Sequence, residues 1–100
     1  MIIKEHKSSS GIIVALCDEN IIGKKYSENG LLLDLSSDFY KGKKTSIEEV
    51  EKKCKRAYII NAVGEKCIEF LKKKGLANEK NVVRIKNIPF VQCLLLENEV

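Results

Sequence analysis

The segment from Ile12 to Cys17 is apolar at every position. It follows a strand-like stretch, Ile2 to His6, and a short turn, Ser8 to Gly11, so the three together predict a β-hairpin. A strand that is apolar on both faces belongs in the interior of a sheet, with other elements packed over each side. We therefore expect a sheet with Ile12–Cys17 near its centre, covered mainly by helices.

Two amphipathic helices are predicted in the second half of the chain. A capping box at Ser46–Glu49 opens the first, because the Ser hydroxyl and the Glu carboxylate can each bind the other's free backbone N–H. The second begins at Asn61 or Gly64 and runs to Lys74. Gly75 ends it, since glycine readily adopts the left-handed cap conformation.

The segment Ala57–Ile60 could extend the first helix or form a short extended stretch before the second. Its two adjacent β-branched residues, Ile59 and Ile60, favour the extended form. An apolar run that stops at Asn61 and Gly64 before a helix leaves free backbone N–H groups. With the positive end of the helix dipole, those groups could bind a phosphate or a carboxylate, so Asn61 and Gly64 are a candidate anion site.

Further strands are predicted at Leu31–Leu35, after the Asn29-Gly30 turn, and at Val82–Lys86 and Phe90–Leu96, separated by Asn87-Ile88-Pro89. The polar segment 36–44 is expected to be an exposed loop. The pattern indicates an α+β fold: a mostly antiparallel sheet, built from N-terminal hairpins plus C-terminal strands and covered by two helices. We expect residues 1–100 to form a single domain.

Composition excludes several classes of protein. A chain of 100 residues with 44% hydrophobic and 32% charged residues is neither disordered nor a membrane protein, and its longest apolar runs are too short to span a bilayer. The residues from Met1 to His6 do not resemble a signal peptide, so a cytoplasmic location is expected. The four cysteines contain no Cys-x-x-Cys pair, so we expect free buried thiols and neither metal nor cofactor.

No catalytic residues are expected. Nucleophilic catalysis needs a Cys or Ser beside a base, and the only histidine is His6. Cys17, at the end of the partner strand, could lie near it, but a histidine at a strand end is far more often structural. A small enzyme that binds an anion at Asn61–Gly64 is the weakest of the functional hypotheses.

Nucleic-acid binding is the leading hypothesis, in a non-enzymatic protein that acts on RNA or the ribosome. The net charge is +4, and one loop places cations beside aromatic rings, the combination that holds single-stranded RNA through phosphate contacts and stacking. Arg84 and Lys86 could extend this patch. The candidate nucleic-acid-binding residues are Tyr40, Lys41, Lys43, Lys44, Lys24 and Lys25.

A protein-interaction module is the main alternative. The apolar strand Phe90–Leu96 and the tail Glu97–Val100 could form an uncovered sheet edge, which invites pairing with a second copy or another protein. The composition also suggests heat adaptation. Sixteen Lys and eleven Glu occur with one Gln and one Met, and Lys and Glu enrichment is the reported hyperthermophile signal, although an AT-rich genome also raises Lys.

The order of short motifs along the chain resembles a known family. These motifs are Lys4-Glu5-His6, Ile22-Gly23-Lys24-Lys25, Phe39-Tyr40 with Gly42, Asn61–Glu65, Gly75-Leu76, and Ile88-Pro89 followed by Gln92. Together they resemble a small archaeal domain-of-unknown-function family, number four-two-four, across essentially the whole chain. The resemblance implies an archaeal source and no established activity. A His often follows the proline in that family, and Phe90 stands there in this chain, which weakens an enzymatic interpretation.

Overall fold

The computed structural model describes residues 1–95, in which eight strands and two α-helices are present. None of the helices in this part of the chain is long and apolar enough to cross a membrane. The elements in chain order are β1 Ile2–Ser8, β2 Gly11–Cys17, β3 Lys25–Glu28, β4 Leu31–Asp34, β5 Lys43–Lys44, α1 Ile47–Lys55, β6 Ala57–Val63, α2 Glu65–Lys73, β7 Val83–Ile85 and β8 Ile88–Leu94.

Six of the strands form one sheet in the order β5-β1-β2-β6-β8-β7, and β3 and β4 form a separate two-stranded hairpin. The β2–β6 pair is parallel, and the other neighbours in both sheets are antiparallel. The predicted α+β class with a mostly antiparallel sheet is therefore confirmed. The central position of β2, between β1 and β6, is also as predicted.

Strand β2 is buried on both faces, but the two faces are covered by different kinds of structure. Val14 and Leu16 lie in a hydrophobic cluster with residues of α1 and α2. Ala15 and Cys17 point to the other face and lie in a second cluster with Leu33 of the β3–β4 hairpin. The helices therefore cover only one face. The hairpin covers the other, a role that its short, partly polar strands did not predict.

The β3–β4 hairpin has the turn that its sequence predicts. Glu28 pairs with Leu31 across a two-residue loop, Asn29-Gly30. Both loop residues have positive φ, 51° and 83°, which is the requirement of the turn type that asparagine followed by glycine favours. The turn orients β4 so that Leu33 is buried against the sheet.

The structure decides between the two starts of α2 that the sequence left open, Asn61 and Gly64. Ala57–Val63 is a strand, as its β-branched residues favour, and α2 begins at Glu65 with Gly64 as its N-cap residue. Asn61 is therefore wrong as a helix cap, because it lies inside β6 opposite Gln92. The capping box of α1 is present in part: the Ser46 hydroxyl accepts the Glu49 N–H at 3.2 Å.

Strand β8 begins two residues earlier than predicted and includes Pro89. Ile85 and Ile88 flank a two-residue loop, so Pro89 lies opposite Arg84 at a position where the ladder needs no N–H. Of the strand predicted at Phe90–Leu96, Phe90 pairs with both Val63 of β6 and Val83 of β7, whereas Val91–Leu94 pair only with β6 within residues 1–95. Leu96 and the tail 97–100 lie outside the described residues.

The segment 36–44 is more ordered than the exposed loop that was predicted. It contains a 3-10 turn, Asp38–Tyr40, with Tyr40 buried, and then the edge strand β5. Gly42 lies directly against β1, since a Cβ at this position would be 1.9 Å from the Ile3 carbonyl oxygen. The close approach at Gly42 allows Lys43 and Lys44 to pair with Ile3 and Ile2.

Candidate functional site

The carboxylate of Asp18 lies at the N-terminus of α2. Asp18 follows β2 directly, and because β2 and β6 are parallel, both strands end at the same side of the sheet, where α2 begins. Its Oδ2 accepts the Lys66 N–H and its Oδ1 accepts the Cys67 N–H, both at 2.9 Å. Asp18 is only 5% exposed. The residue that follows β2 therefore supplies the side-chain cap that Gly64, the N-cap residue of α2, cannot provide.

Gly64 makes room for this contact. Its φ is 111°, a conformation that residues with a side chain rarely adopt, and a Cβ there would lie 2.2 Å from the Asp18 Cγ. The Gly64 N–H donates to the Pro89 carbonyl at 2.9 Å, which fixes the backbone against β8. Both the backbone conformation and the available space therefore require glycine at position 64.

These contacts change the interpretation of the anion site predicted at Asn61 and Gly64. Gly64 is at the helix entrance, whereas Asn61 is inside β6, between Ala15 of β2 and Gln92 of β8. Two of the N–H groups that an external anion would bind already donate to Asp18. The electrostatic preference of a helix N-terminus for a negative charge is thus satisfied by the chain itself.

Two of the four cysteines lie beside this carboxylate. The Cys17 thiol donates to the Asp18 carbonyl oxygen at 3.4 Å, and the Cys67 N–H binds the Asp18 side chain. Burial, followed by the nearby Asp18 charge, raises the pKa of Cys17 to about 12, and burial also raises the pKa of Cys67. Cys54 and Cys93 are buried as well, and burial raises the pKa of each thiol. These thiols are therefore protonated at neutral pH and pack as small apolar groups.

His6 is held by the 3-10 turn and is remote from Cys17. Its ring stacks on Phe39 with centroids 4.5 Å apart and an interplanar angle of 4°, and its Nε2 donates to the Phe39 carbonyl oxygen at 2.9 Å. In the register of the hairpin His6 lies opposite Ile13. Cys17 is four residues further along β2, about 13 Å away at the usual rise of a strand. The structure thus does not bring the two residues together as a nucleophile and a base.

A basic depression runs between the β5 edge of the sheet and α1, and we call it the lysine groove. It has a volume of about 460 Å³. Its walls come from β1, from the segment leading into and out of β5, and from one residue of α1. The lining residues are Ile3, Lys4, Glu5, Lys41, Gly42, Lys43, Thr45 and Lys53.

Two lysines of the groove, Lys4 and Lys41, have weak or replaceable partners. The Lys41 ammonium is 3.4 Å from the Asp38 carboxylate, and both side chains are exposed. The Lys4 ammonium donates to a neutral backbone carbonyl, that of Asp38, at 2.9 Å. Lys53 makes the firmest contact, 3.2 Å to the half-buried Glu5 carboxylate. Exposed ion pairs contribute roughly 0–1 kcal/mol, so a phosphate could displace the partner of Lys41 at small cost.

Of the candidate nucleic-acid-binding residues, only Lys41 and Lys43 line this groove. Lys44 points elsewhere, with its ammonium 3.2 Å from the Glu19 carboxylate. Lys24 and Lys25 lie at the start of the β3–β4 hairpin and do not line the groove.

Tyr40 is wrong as a stacking residue, because it is buried in the cluster beneath the hairpin and only 8% exposed. Burial raises the pKa of its hydroxyl to about 12.

The proposed extension through Arg84 and Lys86 is also wrong. Both residues belong to β7 or its following turn, at the edge of the sheet opposite to β5. Five strand spacings separate the two edges, roughly 24 Å. Arg84 is paired there with Glu65, at 3.0 Å.

Lys4 and Lys53 also line the groove, although neither was predicted from the sequence. Lys4 reaches the groove because β5 pairs with β1, and Lys53 because α1 packs beside that edge. A single sequence contains no local signal for the β1–β5 pairing, since β5 has only two residues. Within residues 1–95, no group of three or more His, Cys, Asp or Glu side chains is placed to hold a metal ion.

The comparisons with known proteins agree with the resemblance seen in the motifs. Residues 6–96 match the family described as "Protein of unknown function (DUF424)". The chain belongs to the DUF424 family. The fold is similar to that in the "Crystal structure of an uncharacterized conserved protein from Methanopyrus kandleri", an archaeal protein, with a TM-score of 0.78 and 28% identity over 99% of this chain and 96% of that one. A search of curated proteins found no match. The family match covers nearly the whole chain and assigns no activity.

Proposed function

We propose that the protein is a non-enzymatic binding protein whose partner is RNA, free or within the ribosome, held at the lysine groove. The observation that supports this most is the lining of the groove, where four lysines stand with a single glutamate. Such a surface attracts the phosphate backbone by releasing the counterions around it, whatever the base sequence. The lining residues follow the chain from Lys41 to Thr45 along the β5 edge, an arrangement that suits a chain of phosphates.

Charge reversal in the groove tests this proposal. In a Lys41→Glu/Lys43→Glu variant, we expect the affinity for a fluorescently labelled single-stranded RNA to fall by at least about tenfold at low salt. The slope of log affinity against log salt should also become shallower by about 1.4, since each phosphate contact to a single strand contributes about 0.7. Fluorescence anisotropy over a series of salt concentrations gives both quantities.

A matched control uses Lys24→Glu/Lys25→Glu, which changes the net charge equally but lies on the hairpin, outside the groove. Its affinity should stay close to that of the unmodified protein. Equal losses in the two variants would show that net charge alone controls binding, and an unmodified protein that does not bind RNA would remove the proposal.

We also infer that the protein works in the cytoplasm of a heat-adapted archaeon. The support is the Lys- and Glu-rich, Gln- and Met-poor composition, together with the similarity to a protein from Methanopyrus kandleri. Scanning calorimetry should give a melting temperature well above the usual mesophile range of roughly 45–65 °C. A transition inside that range would count against heat adaptation and favour an AT-rich genome as the cause of the lysine content.

A further inference from the structure

The face of the six-stranded sheet opposite the helices is covered over only part of its length. The β3–β4 hairpin packs on the row that contains Cys17 and Val63. Further along the strands, five side chains lie on the same face, because residues directly opposite each other on neighbouring strands share a face. Ile13 pairs with Ile59, Ile59 with Leu94, and Asn61 with Gln92. We call this patch the open face; its residues are Ile13, Ile59, Asn61, Gln92 and Leu94.

Within residues 1–95, the open face belongs to neither of the two hydrophobic clusters. Leu94 is 55% exposed and Gln92 is exposed, while Ile13, Ile59 and Asn61 are half-buried. Half-buried isoleucines in the middle of a sheet, beside an exposed leucine, form a larger apolar surface than scattered single residues do. Contiguous patches of this kind mark interaction sites.

A second apolar surface lies beside the hairpin, at the Phe90 end of β8. Phe90 lies two residues before Gln92, so it is on the same face of β8. It lines an apolar groove of about 530 Å³ together with Leu31, Leu32 and Val83. Of the five large apolar residues that are exposed within residues 1–95, Leu94 is in the open face, and Leu31, Leu32 and Val83 line this groove.

The charges of the chain favour a second copy of the chain as the occupant. None of the five open-face residues is charged, although charged residues make up 32% of the chain. Two side chains of β1 lie on the same face: His6, opposite Ile13, stacks on Phe39, and Lys4, opposite Ala15, donates to the Asp38 carbonyl. A polyanion would therefore find one lysine at the margin of this face, in contrast to the four that line the lysine groove. Two copies, each with a net charge of +4, repel each other least where they meet through uncharged surfaces.

The amide side chains in the open face can also form hydrogen bonds with the same amides of a second copy. Asn61 and Gln92 are cross-strand neighbours, and each amide has both donors and an acceptor. A two-fold axis brings the same patch of each copy together, so the patch must be complementary to itself. Amides and apolar side chains meet this requirement, whereas a single-sign charged patch does not.

We propose that two copies of this chain form a homodimer through the open face, with their sheets packed face to face about a two-fold axis. Sheets in such sandwiches lie about 10 Å apart with interlocking side chains. Leu94 and Ile59 of each copy supply the apolar centre, and the Asn61–Gln92 amides pair across the axis. None of the five open-face residues lines the lysine groove, so we expect RNA binding to persist in the dimer.

Analytical ultracentrifugation of the full chain over a range of concentrations tests this proposal. We expect the unmodified protein to dimerise. Leu94→Glu should raise the dimer dissociation constant by at least about 30-fold, because it removes an apolar contact at the centre of the interface and places a charged carboxylate there. Gln92→Glu should weaken the dimer in the same direction. High salt should leave the dimer intact, in contrast to RNA binding.

Ile47→Glu is the matched control, because Ile47 is 50% exposed and Leu94 is 55% exposed, on different parts of the molecule. It should leave the dissociation constant unchanged, and both Leu94 and Gln92 are exposed enough for their variants to fold. An unmodified protein that stays monomeric throughout would overturn the proposal and assign the open face to a different partner. Equal weakening by Ile47→Glu and Leu94→Glu would also overturn it.

Discussion

Replacing Gly64 with alanine is expected to lower the free energy of unfolding by about 2–5 kcal/mol, the sum of a backbone term and a steric term. The backbone term arises because φ at this position is 111°. The steric term arises because the new Cβ would lie 2.2 Å from Cγ of Asp18, which is itself fixed by its bonds to α2. Urea-induced unfolding followed by circular dichroism measures the loss.

Gly23→Ala separates the two terms. Gly23 has a φ of 88°, but no atom lies within 4 Å of the position that its Cβ would occupy. This variant should therefore lose only the backbone term, about 1–2 kcal/mol. If Gly64→Ala were no more destabilised than Gly23→Ala, the Asp18 side chain would have moved aside without loss, and the close approach would not be a constraint.

Removing the carboxylate that caps α2 should have an effect of similar size. We expect Asp18→Ala to lower the free energy of unfolding by about 2–4 kcal/mol, because two backbone N–H groups, one of them buried, lose a charged acceptor. Hydrogen exchange should show the loss locally, since the amides of Lys66 and Cys67 donate to this side chain in the folded protein. Asp18→Asn should recover part of the loss, as its amide offers one acceptor oxygen in place of two.

Asp38→Asn is the control for Asp18, because the Asp38 side chain is 89% exposed and its ion pair with Lys41 is a surface contact. It should change stability by no more than about 0.5 kcal/mol. The Gly64→Ala/Asp18→Ala double variant gives a further check, since it removes the Cγ and Oδ2 atoms nearest to the new methyl group and leaves only the Cβ of residue 18, at 2.6 Å, so the combined loss should be smaller than the sum of the two. Strictly additive losses would contradict the direct contact between residues 18 and 64.

The elements that could be predicted from the sequence are those whose signals are local. The Asn29-Gly30 turn, the capping serine of α1 and the two-sided burial of β2 each depend on residues close together in the chain. The cap of α2 depends on Asp18, 48 residues before Lys66, so a single sequence does not connect the two. Without that partner, Asn61 was the residue of a helix-capping type nearest to the start of α2. The sequence did not show that Asn61 lies inside a strand.

The lysine groove was predicted in part for the same reason. Lys41 and Lys43 are recognisable in a short basic segment, but Lys4 and Lys53 join them only through the pairing of β5 with β1 and the packing of α1. The orientation of Tyr40 could not be predicted either. Its polar surroundings in the sequence suggested exposure, whereas the hairpin formed by β3 and β4 creates a second apolar layer that buries it.

The parallel pairing of β2 with β6 joins segments that are far apart in the chain, which affects how this protein folds. Val14 pairs with Ile60 and Cys17 with Val63, so the centre of the sheet closes only after a loop of more than 40 residues has formed. Contacts of such long sequence separation slow folding relative to local hairpins. During synthesis, β1 and β2 emerge first, and the apolar β2 has an unpaired edge until residues 57–63 leave the ribosome. The strand β2, which lies in the interior of the finished sheet, is thus the strand most prone to aggregation during synthesis.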